Sequence, residues 1–203
     1  ANTVMDEKAA RGYKTLAICR SDDETPESAT WTMVGYISLM DPPRSDTEAT
    51  IVAAQERGVE VKMITGDQRK IAVEVAHQLH MGTHIFGPDV WLPNAPAVDR
   101  AGGVGNLAEL ANGFAGVHPE HKYKVVEALQ AAGHTVGMTG DGVNDAPALA
   151  VANVGIAVAD ATDAARGAAD IVLTREGLST IVSAINRSRQ IFRRLEAYIT
   201  YRL

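Results

Sequence analysis

Asp141 and Asp145 stand four residues apart in Thr139-Gly-Asp-Gly-Val-Asn-Asp145, directly after an apolar run. On one helix face their like charges would cost about 0.2–0.5 kcal/mol, and a hard cation nearby would reverse that term. Mg²⁺ suits such a place, because it takes few carboxylates, keeps waters and shares a phosphate oxygen. Without a metal, Asp141 reads as a turn residue and Asp145 as an acidic group in a first helical turn. The position of the motif just after a strand favours metal binding.

Lys122 lies in the first turn of a helix opened by Pro119, where the helix dipole disfavours a cation. A solvated lysine beside Glu120 is the plain reading. An anion held at the helix start would make the placement favourable, with the lysine as a point charge on a phosphate. Lys124 is a rival expected to face another side of the helix. Thr65-Gly66-Asp67 offers a hydroxyl, a glycine that lets a ligand approach the backbone, and a carboxylate just before a helix. It reads equally as an N-cap. Together, a hydroxyl, a lysine and an aspartate pair with Mg²⁺ are what phosphoryl transfer requires, without an obvious nucleophile. Competing chemistries have less support. His77, His80 and His84 read as surface rather than zinc ligands, and no serine sits in a Gly-x-Ser-x-Gly elbow. No Gly-x-x-x-x-Gly-Lys-[Ser/Thr] loop occurs.

These residues need elements to carry them. From Leu39 onward, strand-like and helix-like segments alternate. Strands are predicted over 59–64, 113–117, 134–138, 154–158 and 170–173. Helices are predicted over 45–57, 68–79, 119–132, 144–152 and 161–169. That alternation implies βαβ units and a parallel α/β sheet covered on both faces, with ligands bound beyond the carboxyl ends of the strands. The three polar motifs fall at those ends. Residues 83–106, with three prolines and four glycines, read as a surface excursion. Residues 1–40 read as a helix over 2–11 and an antiparallel pair, 13–20 and 31–39, joined by the acidic loop SDDETPES. Asp41-Pro-Pro-Arg44 then forms a stiff boundary.

Composition narrows the classes. Of 203 residues, 46% are hydrophobic and 22% charged, as in a folded domain. The net charge of −6 argues against a general nucleic-acid surface. The single cysteine, Cys19, excludes an internal disulfide and fits a reducing compartment. No apolar run reaches the roughly 18 residues of a membrane span, and the N-terminus lacks a signal-peptide core. Between Asn186 and Leu203, five arginines face one glutamate along an amphipathic helical pattern. This reads either as a terminal docking helix or as the cytoplasmic approach to a membrane span.

Asp41-Pro-Pro-Arg44, Met63-Ile-Thr-Gly-Asp-Gln68, Pro119-Glu-His-Lys-Tyr123 and Met138-Thr-Gly-Asp-Gly-Val-Asn-Asp-Ala-Pro-Ala-Leu149 resemble the cytoplasmic motifs of P-type ATPases, in that family's order. Phe114–Tyr123, Gly155–Arg166 and Ser188-Arg-Gln-Ile-Phe192 are most similar to the plasma-membrane proton pumps (type IIIA) of plants, fungi and protists. The resemblance implies a Rossmann-like sheet of the haloacid-dehalogenase type over 41–185. It makes residues 1–40 the end of a nucleotide-binding domain, and 186–203 a stalk leading to a membrane span. It implies Mg²⁺ as cofactor and ATP as substrate. Carried over by position, Asp141 binds the metal and Asp145 supports or shares that role. Thr65 and Asn144 contact the phosphoryl group, and Lys122 neutralises it. Asp41, Gly66 and Asp67 lie near the nucleotide and the hinge.

The family's phosphorylated Asp sits in an Asp-Lys-Thr-Gly-Thr motif, which this sequence does not contain. The Thr-Gly-Glu motif of the actuator domain and the membrane spans are likewise not found in it. The resemblance therefore implies a catalytic segment, inactive alone, whose partners are ATP and the rest of its own chain. The parent protein would sit in the plasma membrane with this segment on the cytoplasmic side. Alternatives are a free-standing Mg²⁺-dependent phosphohydrolase of the same fold, with Asp41 as its only candidate nucleophile, and a non-catalytic phosphate-binding module. His80, where the family usually has Gly, is a smaller departure.

Overall fold

The computed structural model describes residues 2–21 and 30–202. Most of the acidic loop predicted between the first two strands lies outside the described residues. Helix α1 (Asn2–Ala9) precedes strands β1 (Lys14–Arg20) and β2 (Thr32–Leu39), which pair antiparallel as the sequence predicts. Helix α2 (Thr47–Gln55) ends at Gly58, whose φ of 74° no other residue type adopts as readily. Then come β3 (Met63–Ile64), α3 (Arg69–Gln78), β4 (Ile85–Phe86), α4 (Pro96–Ala101), α5 (Val104–Leu110) and β5 (Gly113–Phe114). The second half holds α6 (Pro119–Ala131), β6 (Gly137–Gly140), α7 (Ala146–Val151), β7 (Val154–Ala157), α8 (Asp163–Ala168), β8 (Ile171–Val172) and α9 (Ser179–Arg202).

The parallel strands form two three-stranded sheets, ordered β3-β5-β4 and β6-β7-β8, with β3 and β6 each at an edge. Phe114 and Val117 pack with Leu107, Ala111, Val125 and Leu129 on one face of the first sheet. Ile85 and Ala115 pack with Ile51, Ala72, Ala76 and Leu79 on the other. A third cluster joins Met138 and Ala157 to Val126, Leu149 and Ala165. Ile64 and Val136 pack against both the first and the third cluster, so one continuous apolar layer underlies both sheets.

Several elements differ from the sequence expectation. The strand expected over 59–64 pairs only at Met63 and Ile64, because its partner begins at Gly113, just after α5 has run to Leu110. The strand expected over 134–138 is displaced to Gly137–Gly140. Its register is set by Val154 opposite Gly137, and its polar Thr139 and Gly140 carry the ladder beyond the apolar run. The strand expected over 113–117 stops early, since Gly116 turns at φ 63° and its N–H bonds to the carbonyl of Asp67. Residues 83–106 are not a surface excursion. They supply β4 as well as α4 and the first turn of α5, and Ile85, Val90 and Ala95 are buried there. Two of the three prolines in this segment start helical turns rather than loops: Pro88 opens a single 3-10 turn and Pro96 opens α4.

The helix expected at the C-terminus is α9, which is continuous from Ser179. Arg57 donates to the side chain of Asn186, and Arg189 donates to the carbonyl of Arg57, so its first half lies on α2. Ile191, Phe192, Leu195, Tyr198, Ile199 and Tyr201 are exposed. No described helix is long and apolar enough to cross a membrane.

His80 stands just past the end of α3 with a φ of 53°, a left-handed conformation costly for a residue with a Cβ. Its Nε2 lies 3.1 Å from Glu48 Oε1 across an exposed gap, a pair of little net worth. His80→Gly is expected to stabilise the chain by about 1 kcal/mol, read as a raised urea midpoint with an unchanged slope. A lowered midpoint would show that the Glu48 contact outweighs the backbone strain.

Candidate functional site

Six of the eight residues singled out in the sequence line one cleft of about 550 Å³: Asp41, Thr65, Asp67, Lys122, Asp141 and Asp145. Its walls are the end of β3, the end of β6 with the loop that follows, the start of α6 and the 41–44 junction. Gly66 and Asn144 are exposed and are not part of those walls. A Cβ on Gly66 would meet only the Val117 carbonyl oxygen at 3.7 Å, an ordinary contact, so the chain's own packing does not require glycine there. Packing does require glycine at Gly140, where a Cβ would come within 2.5 Å of the Asp145 Cβ.

That close approach brings Asp145 into a buried position, 4% exposed, where it is fully engaged. Oδ1 accepts from the Lys122 ammonium at 2.6 Å. Oδ2 accepts from the backbone N–H groups of Asp141 and Gly142, each at 3.2 Å. Burial alone would raise the Asp145 carboxyl, and it is the largest single influence. The Lys122 hydrogen bond, the Gly142 and Asp141 N–H groups and the ammonium charge together outweigh it, so the carboxyl is held below the usual carboxylate range.

Asp141 differs from its neighbour. It is exposed to the cleft, and among the described residues its carboxylate makes no hydrogen bond or ion pair. No three His, Cys, Asp or Glu side chains converge among the described residues as a preformed metal cage. The available donor is thus one free hard carboxylate beside a second whose charge is already neutralised. This fits Mg²⁺, which binds through one or two carboxylates and completes its shell with water and phosphate oxygens. Asp145, with both oxygens occupied, fits support of the loop better than direct ligation.

Thr65 sits just past β3, with its N–H on the Phe114 carbonyl and its carbonyl on the Val117 N–H. Its hydroxyl oxygen accepts from the Asp67 N–H at 3.1 Å, leaving the hydroxyl proton free to donate. Gln68, not Thr65 or Asp67, is the N-cap of α3. Lys124 lines a separate hollow with Trp91 and Glu127, facing away from the cleft as expected.

One cleft residue escaped the sequence reading. Lys14, at the start of β1, reaches Asp67 Oδ1 at 2.7 Å. That hydrogen bond, against some desolvation, raises the lysine above its ordinary value. It ties the antiparallel pair to the Thr65–Asp67 loop. No local motif marks Lys14, because its partner lies far along the chain. Arg44 also lines the cleft and lies 3.6 Å from Asp160 and 3.4 Å from Glu176, in exposed pairs.

Lys122→Met is expected to cost about 3 kcal/mol at neutral pH, because it leaves Asp145 buried without its cation. The native carboxyl is depressed, so the pair's stabilisation is complete above about pH 4 and fades as pH falls through the lower folded value. Urea unfolding from neutral pH into acid should show the two proteins converging. A difference independent of pH would contradict the pairing.

Comparison with known proteins places these features in context. Residues 12–153 match the family model of the haloacid dehalogenase-like hydrolases. A "Plasma membrane ATPase" of Dunaliella bioculata is 50% identical over 204 aligned positions, covering 98% of this chain and 18% of that protein. A "Probable plasma membrane ATPase" of Dictyostelium discoideum is 53% identical over 197 positions, covering 97% of this chain and again 18% of the relative. The chain thus spans under a fifth of the length of these relatives. Two crystal structures of a zinc-transporting PIB-type ATPase are similar in fold. One has a TM-score of 0.69 at 25% identity, and the other 0.68 at 27%. Each covers 98% of this chain and is itself covered to 26%.

Proposed function

The chain belongs to the haloacid dehalogenase-like hydrolases, and from that membership we propose that it is the phosphoryl-handling segment of a plasma-membrane P-type ATPase that exports protons. The observation that carries this reading is the convergence of Thr65, Lys122 and Asp141 on one cleft, from two strand-end loops and a helix start distant in sequence. A hydroxyl donor, an ammonium and a free carboxylate suited to Mg²⁺ are the groups that hold and neutralise a phosphoryl group. Bound there, Mg²⁺ would supply further neutralisation of phosphate charge.

Within this reading, Asp141 holds the metal and Asp145 fixes both the metal-binding loop and Lys122. Lys122 stands at the cleft while paired with Asp145, and Thr65 donates its free proton to a phosphate oxygen. Asn144, exposed outside the cleft walls, reaches the ligand only if the 142–144 turn shifts. ATP is the proposed substrate, with Asp41, Asp67 and Lys14 on the nucleotide side. Residues 1–40 are the proposed end of a nucleotide-binding domain, 41–185 the phosphorylation domain, and the helix beyond 186 a stalk toward a membrane.

The nucleophile is proposed to come from elsewhere in a longer chain. Strands β3 and β6 are both sheet edges, and both contribute residues to the cleft. A free strand edge is a template for another strand. A strand bearing the phosphorylated Asp, inserted between β3 and β6, would join the two half-sheets and deliver its carboxylate beside Thr65 and Asp141.

The chain alone is expected to show no Mg²⁺-dependent ATP or phosphate-ester turnover. Joining an upstream Asp-Lys-Thr-Gly strand should produce Mg²⁺-dependent labelling by acetyl phosphate, and Asp141→Ala should abolish it. Steady phosphate release by the unextended chain, lost in Asp41→Asn, would instead establish a free-standing phosphohydrolase.

A further inference from the structure

Helix α6 delivers Lys122 to the cleft, and its first turn is fastened by an imidazole. His118 is the N-cap, extended at φ −86° and ψ 164°, and Pro119 holds the first helical position. His121, 7% exposed, turns back so that Nδ1 accepts the His118 N–H at 3.1 Å. This is the contact a Glu or Gln makes in the reach-back half of a capping box. The other ring nitrogen, Nε2, lies 3.6 Å from Glu120 Oε1. A donor aimed at Nδ1 requires a lone pair there, so the neutral ring carries its proton on Nε2, toward Glu120. Trp91 stacks on the ring with centroids 5.2 Å apart and planes 14° apart, and the His118 ring meets its edge at 5.4 Å.

We propose that His121 is a positioning residue for Lys122: its neutral Nε2–H form staples the start of α6 and so holds the ammonium on Asp145, and uptake of a proton releases the staple. The charged groups bearing on the ring are Glu120, Lys124 and His118. The 3-10 turn packed on its face contributes only the uncharged Trp91 ring. Burial is the largest influence and holds the imidazole below the usual histidine range. Lys124 and His118 act in the same direction, and Glu120 opposes them. Between the lowered native value and the ordinary histidine value the unfolded chain therefore binds more protons than the native one, so the staple's contribution weakens below the ordinary value and is lost as pH falls through the lower native one. The contact itself is independent of the phosphoryl reading, and only its consequence for turnover rests on that reading.

Nitrogen-15 NMR of the whole 203-residue chain tests this directly. The expected results are an unprotonated Nδ1 in the neutral state and a His118 amide whose hydrogen exchange, relative to the intrinsic rate at the same pH, accelerates about fivefold when the cap is lost. That acceleration should follow His121 protonation in the wild type. His121→Ala should show it at every pH and lose the Lys122 ammonium signal. His121→Gln, which can reach back but cannot titrate, should keep both the slow exchange and the ammonium signal in acid. Three results would overturn the proposal: a neutral tautomer protonated at Nδ1, His118 exchange that keeps the same ratio to its intrinsic rate at every pH, or His121→Gln behaving as His121→Ala. Failure of acetyl phosphate labelling with these outcomes intact would count against the phosphoryl reading alone.

Discussion

The ammonium of Lys122 and the carboxylate of Asp145 meet at 2.6 Å with the carboxylate almost wholly out of water. A lone carboxylate in that position would be strongly disfavoured, and a lysine in the first turn of a helix opposes the helix dipole. Each charge makes the other tolerable. The pair also joins two parts of the chain that are far apart in sequence, the start of α6 and the loop after β6. Around it the geometry of the cleft follows. Gly140 must lack a Cβ for Asp145 to reach its place, and Asp145 in turn engages the backbone of Asp141 and Gly142. Asp141 is thereby presented with its own carboxylate free.

The division of the parallel strands into two sheets is the second constraint. Apolar packing beneath them is continuous through Ile64 and Val136, yet the hydrogen-bond ladder is interrupted between β3 and β6. The cleft lies along that interruption, so the polar groups stand at the ends of two edge strands. The antiparallel pair is held over the same region by Lys14 on Asp67, while the 41–44 junction is tied to the loop before α9 by Arg44 on Glu176. Both contacts are solvent-exposed ion pairs, which are weak and readily exchanged. The cleft therefore has a firm floor and lightly fastened sides.

Much of this was legible in the sequence because the motifs report their own local geometry. Thr65, Lys122, Asp141 and Asp145 could be assigned to a common rim since each follows a strand, and α/β sheets gather strand ends. Helix ends were readable where Pro119 and Gly133 punctuate α6. Strand ends were not, because they depend on where a partner begins. Val59 and Val61 alternate with charged Glu60 and Lys62 as in a half-buried strand, but α5 runs to Leu110 just before the partner strand begins at Gly113. In residues 83–106 proline and glycine carry the local signature of a loop, whereas in the fold Pro88 and Pro96 start helical turns. Asn144 and Gly66 sit beside cleft residues in sequence but outside its walls, which spacing alone cannot reveal. Lys14 was invisible for the opposite reason, its significance arising only from a long-range contact.

On the proposed reading, Thr65, Lys122 and Asp141 surround a single magnesium-bound phosphoryl site. Mn²⁺, substituted for Mg²⁺ in the presence of a phosphate mimic, broadens NMR signals according to their distance from the metal. The predicted result is broadening centred on Asp141 and Gly142 that extends to Thr65 and Lys122 and is lost in Asp141→Asn. Broadening centred on other surface carboxylates, with the Thr65 and Lys122 signals unaffected, would contradict it.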